Sequence, residues 1–494
     1  MRPDSTRDPP QSPGGAQESA ASPGIVAADQ ESAASPWSSP GAQVEPGMAS
    51  ETWVAFPRWL ASAVPGEPVR EDWGVAVRGA LIVDVAPSGH LRRNFAGARV
   101  VELPDCLLLP GLINLHCHAA MSLLRGVGDD LPLKTWLEER IWPLEQALMC
   151  EDFVADGSAL AAIEMLLGGV TTVNDMYFYP EHALTAMRAA GMRVVAGLIV
   201  VDFPSAYARD AEDYLRKGLA LRDRWLGDPL CSFSLAPHAP YTVSDAALRE
   251  VAVLAAELDL PVHMHLHETA LEIEQSLQQH RMRPLRRLEH LGLLGPELIA
   301  VHAVHLTVDD ISCLAACGVH VAHCPHSNLK LASGFARVEA MRKAGINVGL
   351  GTDGAASNNR LDLLAEAATA ARLAKAVSGK AEAFGATEVL HALTLGAARA
   401  LRLDQRIGSI EKGKEADLVA ISMQSVHHTP VHDPLSHLIF VAGREDVLEV
   451  WVAGQAVVSR RQPVGLGLQG ALQRVGARSA MWQNRVEEVL AGRP

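Results

Sequence analysis

Two histidines one residue apart close a long apolar run, Leu107-Leu108-Leu109-Pro110-Gly111-Leu112-Ile113-Asn114-Leu115-His116-Cys117-His118. Such a run reads as a buried strand, and in a strand residues i and i+2 point to the same face. His116 and His118 would then leave its C-terminal end side by side, able to chelate one metal ion. Neutral imidazole suits zinc or iron, and a catalytic site needs further ligands and a position for water. A lone His-x-His reads equally well as two histidines in a solvated turn. Recurrence is what weighs against that. His238 sits in Ala236-Pro237-His238-Ala239-Pro240-Tyr241, and His265 and Glu268 in His263-Met264-His265-Leu266-His267-Glu268. His302 and His305 follow in Val301-His302-Ala303-Val304-His305, then His323 and His326, then Asp353 in Gly351-Thr352-Asp353-Gly354. Each one alone reads as a satisfied buried histidine or a loop residue. Together they fall at the end of nearly every apolar run.

Those runs define the frame. After the first, which ends at His116, they cover 171–176, 194–201, 231–236, 261–266, 298–304, 319–323 and 346–351, with helical stretches between. Eight βα repeats fit an α/β fold of the (β/α)8 TIM-barrel type over 107–401, where catalytic residues gather at the C-terminal ends of the strands. Short strands with turns flank it at 48–106 and 402–465, and the simplest assembly joins them into one small β-sandwich domain. Residues 466–494 read as an amphipathic surface helix. Residues 1–47, rich in Pro, Ser, Ala, Gly and Gln, contain the near-repeat Glu18-Ser19-Ala20-Ala21-Ser22-Pro23 and Glu31-Ser32-Ala33-Ala34-Ser35-Pro36. They carry too little apolar mass to bury a core, and a disordered N-terminal tail is the expectation.

Composition narrows the function classes. The 494 residues are 48% hydrophobic and carry a net charge of −14, which argues against a nucleic-acid partner. No stretch of 18 or more residues is uninterruptedly apolar, so no membrane span is expected, and the N-terminus lacks the basic and apolar regions of a signal peptide. Seven cysteines without regular spacing suit a reducing cytoplasm. Cys313 and Cys317, separated by small apolar residues, read as core positions of a helix.

The strand-end motifs resemble the amidohydrolase superfamily over roughly residues 53–458. Leu123-Leu124-Arg125-Gly126, Trp142-Pro143-Leu144-Glu145, Pro237-His238-Ala239-Pro240-Tyr241, the run His323-Cys324-Pro325-His326-Ser327-Asn328-Leu329-Lys330-Leu331 and Thr352-Asp353-Gly354-Ala355-Ala356-Ser357-Asn358-Asn359 are similar to its deaminase and chlorohydrolase branch, and most of all to 5′-methylthioadenosine/S-adenosylhomocysteine deaminases. The resemblance implies that His116, His118, His265 and Asp353 hold one divalent ion per chain, zinc first and ferrous iron second. It implies that Glu268 shuttles a proton, that His302 bonds the attacking water and that Asp353 takes its proton. Glu145 would meet ribose hydroxyls and His238 the substrate. Trp136 would either line a purine pocket or anchor a helix. His263, His267, His305, His323 and His326 would pack behind the ligands, Ser327 and Asn328 would shape the rim, and Gly351 and Gly354 would permit a tight turn at Asp353. Dinuclear relatives use a strand lysine that 194–201 and 231–236 lack. The P-C-x-x-C zinc site of cytidine-type deaminases is also missing.

The expected activity is therefore metal-dependent hydrolytic deamination of 5′-methylthioadenosine, extending to S-adenosylhomocysteine or adenosine. Residues 195–201 carry no arginine for an amino-acid carboxylate, which puts S-adenosylhomocysteine in doubt; Arg209 follows and is the substrate-binding residue that could supply one contact. The rival enzyme is a deaminase or dechlorinase of a bare heterocycle such as guanine or an s-triazine, for which a ribose-binding Glu145 is needless. The rival outside enzymes is a non-catalytic barrel scaffold, which predicts broken metal ligands. The partner is a small nucleoside, and a homo-oligomer is compatible with this reading.

Overall fold

The computed structural model describes residues 51–492, so the tail expected over 1–47 lies outside the described residues. The chain enters through β1 (Thr52–Leu60), β2 (Arg70–Glu71), β3 (Trp73–Arg78), β4 (Leu81–Pro87) and β5 (Arg99–Pro110). It continues through β6 (Leu112–Cys117), β7 (Val170–Met176), β8 (Arg193–Val200), β9 (Cys231–Pro237), β10 (Val262–Leu266), β11 (Leu298–His302), β12 (His320–His323) and β13 (Val348–Leu350). It closes with β14 (Leu418–Ser422), β15 (Val447–Val452), β16 (Gln455–Ser459) and β17 (Gln462–Pro463).

Strands β6 to β13 form one parallel eight-stranded sheet in sequence order, each followed by helical chain. Nearly every residue in them is buried, which is why they read as apolar runs rather than as alternating strands. The sheet curls until its edges meet. The Thr352 and Asp353 amides, just past β13, both donate to the His116 carbonyl on β6 at 3.1 Å. This is the (β/α)8 barrel that the eight repeats imply.

The first apolar run divides where the sequence suggested continuity. Leu107–Leu109 belong to β5 and pair antiparallel with β14, Leu109 opposite Val419, and only Leu112 onward joins the barrel. Gly111 is the joint. A Cβ there would stand 2.2 Å from Thr171 Oγ1, so the backbone can pass β7 only without a side chain.

Both chain ends build one sheet in the order β17-β16-β15-β14-β5-β1-β3-β4, with β2 on β1. In a flat sheet β1 and β15, three places apart, would be separated by ~14 Å at ~4.8 Å per strand. Instead the Trp53 and Trp451 rings stack with centroids 5.2 Å apart. The sheet therefore folds over on itself, and Trp53, Val75, Val77, Leu108, Leu418 and Trp451 share one core. Arg193 at the start of β8 ties this unit to the barrel. Its buried guanidinium donates to Asp417 Oδ2 (2.8 Å), Glu415 Oε2 (2.6 Å) and the Pro229 carbonyl (2.9 Å).

The C-terminal helix Leu466–Leu490 lies against helix Glu151–Leu167, where Trp482 Nε1 donates to Asp156 Oδ2 at 2.8 Å. Cys313 and Cys317 correct an expectation. They sit on helix Val308–Cys317 half-exposed, because Ile311 and Leu314 occupy its buried face. Among the described residues no helix is long and apolar enough to cross a membrane.

Candidate metal and active site

The floor of the site is made of strand ends. His116 is the penultimate residue of β6 and His118 lies just past it, His265 is on β10, and Asp353 follows β13. Their ligand atoms all lie within 4.8 Å of one another. His116 Nε2 and His118 Nε2 are each 3.2 Å from Asp353 Oδ1, and His118 Nε2 is 3.3 Å from His265 Nε2. Tetrahedral ligands ~2.0–2.1 Å from a zinc ion stand ~3.3 Å from each other. The donor set and its spacing fit one such ion.

The other ring nitrogens fix this orientation. His118 Nδ1 donates to the Met176 carbonyl (2.5 Å) and His265 Nδ1 to the His238 carbonyl (2.7 Å), which leaves both Nε2 lone pairs free. His116 Nδ1 is 2.9 Å from His263 Nε2. Ser327 Oγ donates to Asp353 Oδ2 at 2.6 Å, so Ser327 lies beneath the ligands rather than on the rim. Burial pushes His116 down to about 4 and His265 well below the usual imidazole range. Burial alone would raise Asp353, but the His116 and His118 rings beside it hold its carboxyl well below the ordinary value. Neutral imidazoles and an ionised carboxylate are the protonation states that a divalent ion requires.

Two floor residues adopt left-handed backbone, His302 at φ 70° and Asp353 at φ 62°. Non-glycine residues reach this region at a cost that surrounding structure must offset, and such residues gather at functional sites. Gly351 and Gly354 serve packing rather than the turn. A Cβ on Gly351 would meet the His116 Cβ at 2.8 Å, and one on Gly354 the Met121 Sδ at 3.1 Å, and neither glycine has a positive φ.

Glu268 stands beside the cluster with Oε2 3.7 Å from His302 Nε2, and Ser333 Oγ donates to its Oε1 at 3.2 Å. Burial raises its carboxyl. The Glu268 backbone amide donates to Glu272 Oε2 at 2.8 Å, and Asn328 Oδ1 lies 2.8 Å from His302 Nδ1.

Above this floor opens a cavity of about 520 Å³. Its wall is mostly apolar, with Trp136, Trp142, Met149, Phe178, Ile199 and Phe203 among the residues that form it. Glu145 faces it from helix Trp142–Leu148 and accepts a 2.7 Å hydrogen bond from the Tyr177 hydroxyl. Burial pushes the Glu145 carboxyl up to about 7. His238 lines the cavity as a neutral ring, lowered by burial to about 3, with Nδ1 3.1 Å from Thr242 Oγ1. Trp136 lines the cavity, and its Nε1 donates to the Val127 carbonyl at 3.2 Å.

Arg209 is the exception among the expected site residues. Its side chain is 81% exposed, pairs with Asp213 and does not line the cavity, because it sits where the chain turns outward into helix Ala211–Trp225. His305 bonds the Ser333 carbonyl and His326 bonds Glu366 and Thr369, both behind the floor. Sequence reasoning missed Tyr177 and Ser333. A polar residue just past β7 was a signal for Tyr177; Ser333 offered none.

Residues 107–457 match the model of the amidohydrolase family. The chain belongs to the amidohydrolase family. It is 44% identical over 428 residues to a 5-methylthioadenosine/S-adenosylhomocysteine deaminase of Teredinibacter turnerae, covering 87% of this chain and 96% of that protein. A protein of the same name from Syntrophobacter fumaroxidans is 43% identical over 81% of this chain and 91% of its own length. Among solved structures, an adenosine deaminase from Xanthomonas campestris with bound zinc superposes with a TM-score of 0.86 at 46% identity, over 88% of this chain and 98% of that one. The amidohydrolase shares its fold, at a TM-score of 0.80 and 24% identity, with a zinc-bound atrazine chlorohydrolase from Arthrobacter aurescens, over 86% of this chain and all of that one. The chain is a hydrolase of this family.

Proposed function

We propose that this amidohydrolase removes the exocyclic amine of an adenosine derivative, with 5′-methylthioadenosine preferred and 5′-methylthioinosine and ammonia as products. The observation that carries this reading is Glu145, a carboxylate on the wall of the cavity whose floor holds the metal-type cluster. Two vicinal ribose hydroxyls are its natural partners, and a bare guanine or s-triazine has none. The names of the relatives support the same substrate class.

His116, His118, His265 and Asp353 would hold one zinc ion. When bound, the ion would act as a Lewis acid that makes water nucleophilic near neutral pH. Glu268 Oε2 would deliver a proton to the ring nitrogen next to the amine-bearing carbon, and its raised carboxyl supports that role. His302 Nε2 would orient the nucleophile beside Glu268, and the Asn328 amide oxygen would keep that ring in place. Asp353 would accept the proton that the water releases, and that proton would pass to the amine as the C–N bond breaks and ammonia leaves. His238, held neutral, would contact the purine, and the aromatic wall would exclude bulk water from the reacting carbon.

Among the described residues, no lysine or arginine lines the cavity. An amino-acid carboxylate would find no cationic partner there, which favours the methylthio compound over S-adenosylhomocysteine. Seven free cysteines support a reducing, cytoplasmic setting. The test follows ammonia release from methylthioadenosine, adenosine, S-adenosylhomocysteine, guanine and an s-triazine. Methylthioadenosine should give the highest kcat/KM. Turnover of the bare rings with no nucleoside activity would end the proposal.

A further inference from the structure

A second group of ligand-type side chains lies outside the cavity, on the excursion between β14 and β15. His427 and His428 close the one-turn helix Val426–His428, and Asp446 closes the one-turn helix Arg444–Asp446. Their ligand atoms lie within 4.8 Å of one another. His427 Nε2 is 3.1 Å and His428 Nε2 3.2 Å from the same oxygen, Asp446 Oδ2. These are the spacings of the cluster on the barrel floor, where two imidazoles approach one Asp353 oxygen at 3.2 Å.

The His428 ring is the telling feature. It is fully buried, yet its Nε2 has no hydrogen-bond partner, although Asp446 Oδ2 stands 3.2 Å away. An unpaired buried polar atom costs ~1–3 kcal/mol. On the other side of the ring, His428 Nδ1 lies 3.2 Å from His437 Nδ1. The geometry lets His428 Nδ1–H donate to His437 Nδ1. His428 Nε2 then presents a lone pair toward a carboxylate. Two acceptors facing each other in a buried site repel unless a cation joins them. A neighbour that fixes the far nitrogen of an imidazole is also how metal-binding histidines are oriented.

Asp446 is equally well set. The Gly443 amide donates to its Oδ2 at 3.0 Å and Ser425 Oγ to its Oδ1 at 3.3 Å. Only His427 reaches solvent, with its side chain 42% exposed, which gives an ion a way in.

We propose that His427, His428 and Asp446 form a second site for a divalent transition-metal ion, zinc in the first instance, with water in the remaining position. Two imidazoles and one carboxylate suit such an ion. None of the three residues lines the catalytic cavity, so the ion fastens the excursion between β14 and β15 and leaves the chemistry alone. Three ligands and an open side make it the weaker of the two sites.

The full-length protein is saturated with zinc chloride, freed of loose ion by gel filtration, and assayed for zinc per chain and for activity. Wild type should carry two ions, and His427→Ala one, with turnover unchanged. His427→Gln should match it. His432→Ala, an exposed histidine of the same excursion, should keep two. His265→Ala should keep one ion, now at the second site, and His265→Ala with His427→Ala none, which separates this proposal from the reading of the cavity. A wild type that saturates at one ion while fully active would overturn the second site. So would a His427→Ala protein that still binds two, or loss of an ion in His432→Ala.

Discussion

The floor and the wall of the cavity are built by different means. On the floor, His116, His118, His265 and Asp353 come from strands or the residues just past them, and each is clamped by a neighbour at 2.5–2.9 Å. The wall comes from chain that leaves the barrel. Trp136, Trp142 and Glu145 sit on the short helices between β6 and helix Glu151–Leu167, Tyr177 follows β7, and Phe203 follows β8. The floor is rigid and polar, and suits chemistry that must be placed to a fraction of an ångström. The wall is apolar with one carboxylate, and suits the choice of substrate. If this division holds, floor substitutions should abolish turnover of every substrate, while wall substitutions should discriminate between substrates.

The largest effect should come from His265→Ala. The cavity should lose its ion and the protein all measurable deamination, on every substrate alike, as read by elemental analysis of protein purified without added metal and by ammonia release. Retained metal at the cavity with full turnover would place the ligands elsewhere. Glu268→Gln comes next. It keeps the fold and the ion but removes a positioned proton donor, which is typically worth ~10²–10⁴-fold in rate. Turnover within a few-fold of wild type would remove Glu268 from the proton path.

On the wall, Glu145→Ala should cost at least ~10²-fold in kcat/KM for methylthioadenosine, because charge-assisted hydrogen bonds are worth ~1.5–3 kcal/mol each. The 2′,3′-dideoxy analogue, already poor, should lose little more. Equal proportional losses on both substrates would erase the division between floor and wall. A pH series sharpens the same point. Glu145 can accept two hydroxyl hydrogen bonds only when ionised, and burial sets its carboxyl at about 7, against the opposing pull of the Tyr177 hydroxyl and His118. As pH falls through that value the carboxylate is protonated, so KM for methylthioadenosine should rise on the acid side. In Glu145→Gln the rise should vanish; a wild-type KM that stays flat from acid to neutral pH would contradict the assignment.

The smallest effect should be that of Phe203→Ala, at the cavity mouth and 46% exposed. Loss of partial apolar contact with a methylthio group should lower kcat/KM by about tenfold or less, with adenosine itself nearly unaffected. Equal losses on adenosine would mean that Phe203 supports the wall as a whole.

The floor was legible before the structure because its rules are local. Strand alternation puts His116 and His118 on one face, and a parallel barrel sends all C-terminal strand ends to one mouth, so apolar runs ending in His or Asp suffice to bring the candidate ligands together. The same rules recover the eight strands. The division of the run 107–118 between two sheets escaped them, since Leu107–Leu109 are equally apolar in either setting and only their pairing with β14 decides.

What tertiary structure alone decided is whatever depends on where distant loops converge. Arg209 and Phe203 both follow the third barrel strand within a few residues, yet Phe203 lines the cavity and Arg209 turns to Asp213 in solvent. Tyr177 meets Glu145 across 32 positions, and Ser333 reaches Glu268 across 65. The left-handed backbone at His302 and Asp353 is likewise set by the neighbours that hold it and not by residue type. Sequence placed the candidate ligands at one mouth of the barrel because periodicity and chain direction act within one strand. Side-chain partners across the cavity depend on packing between elements that no local period encodes.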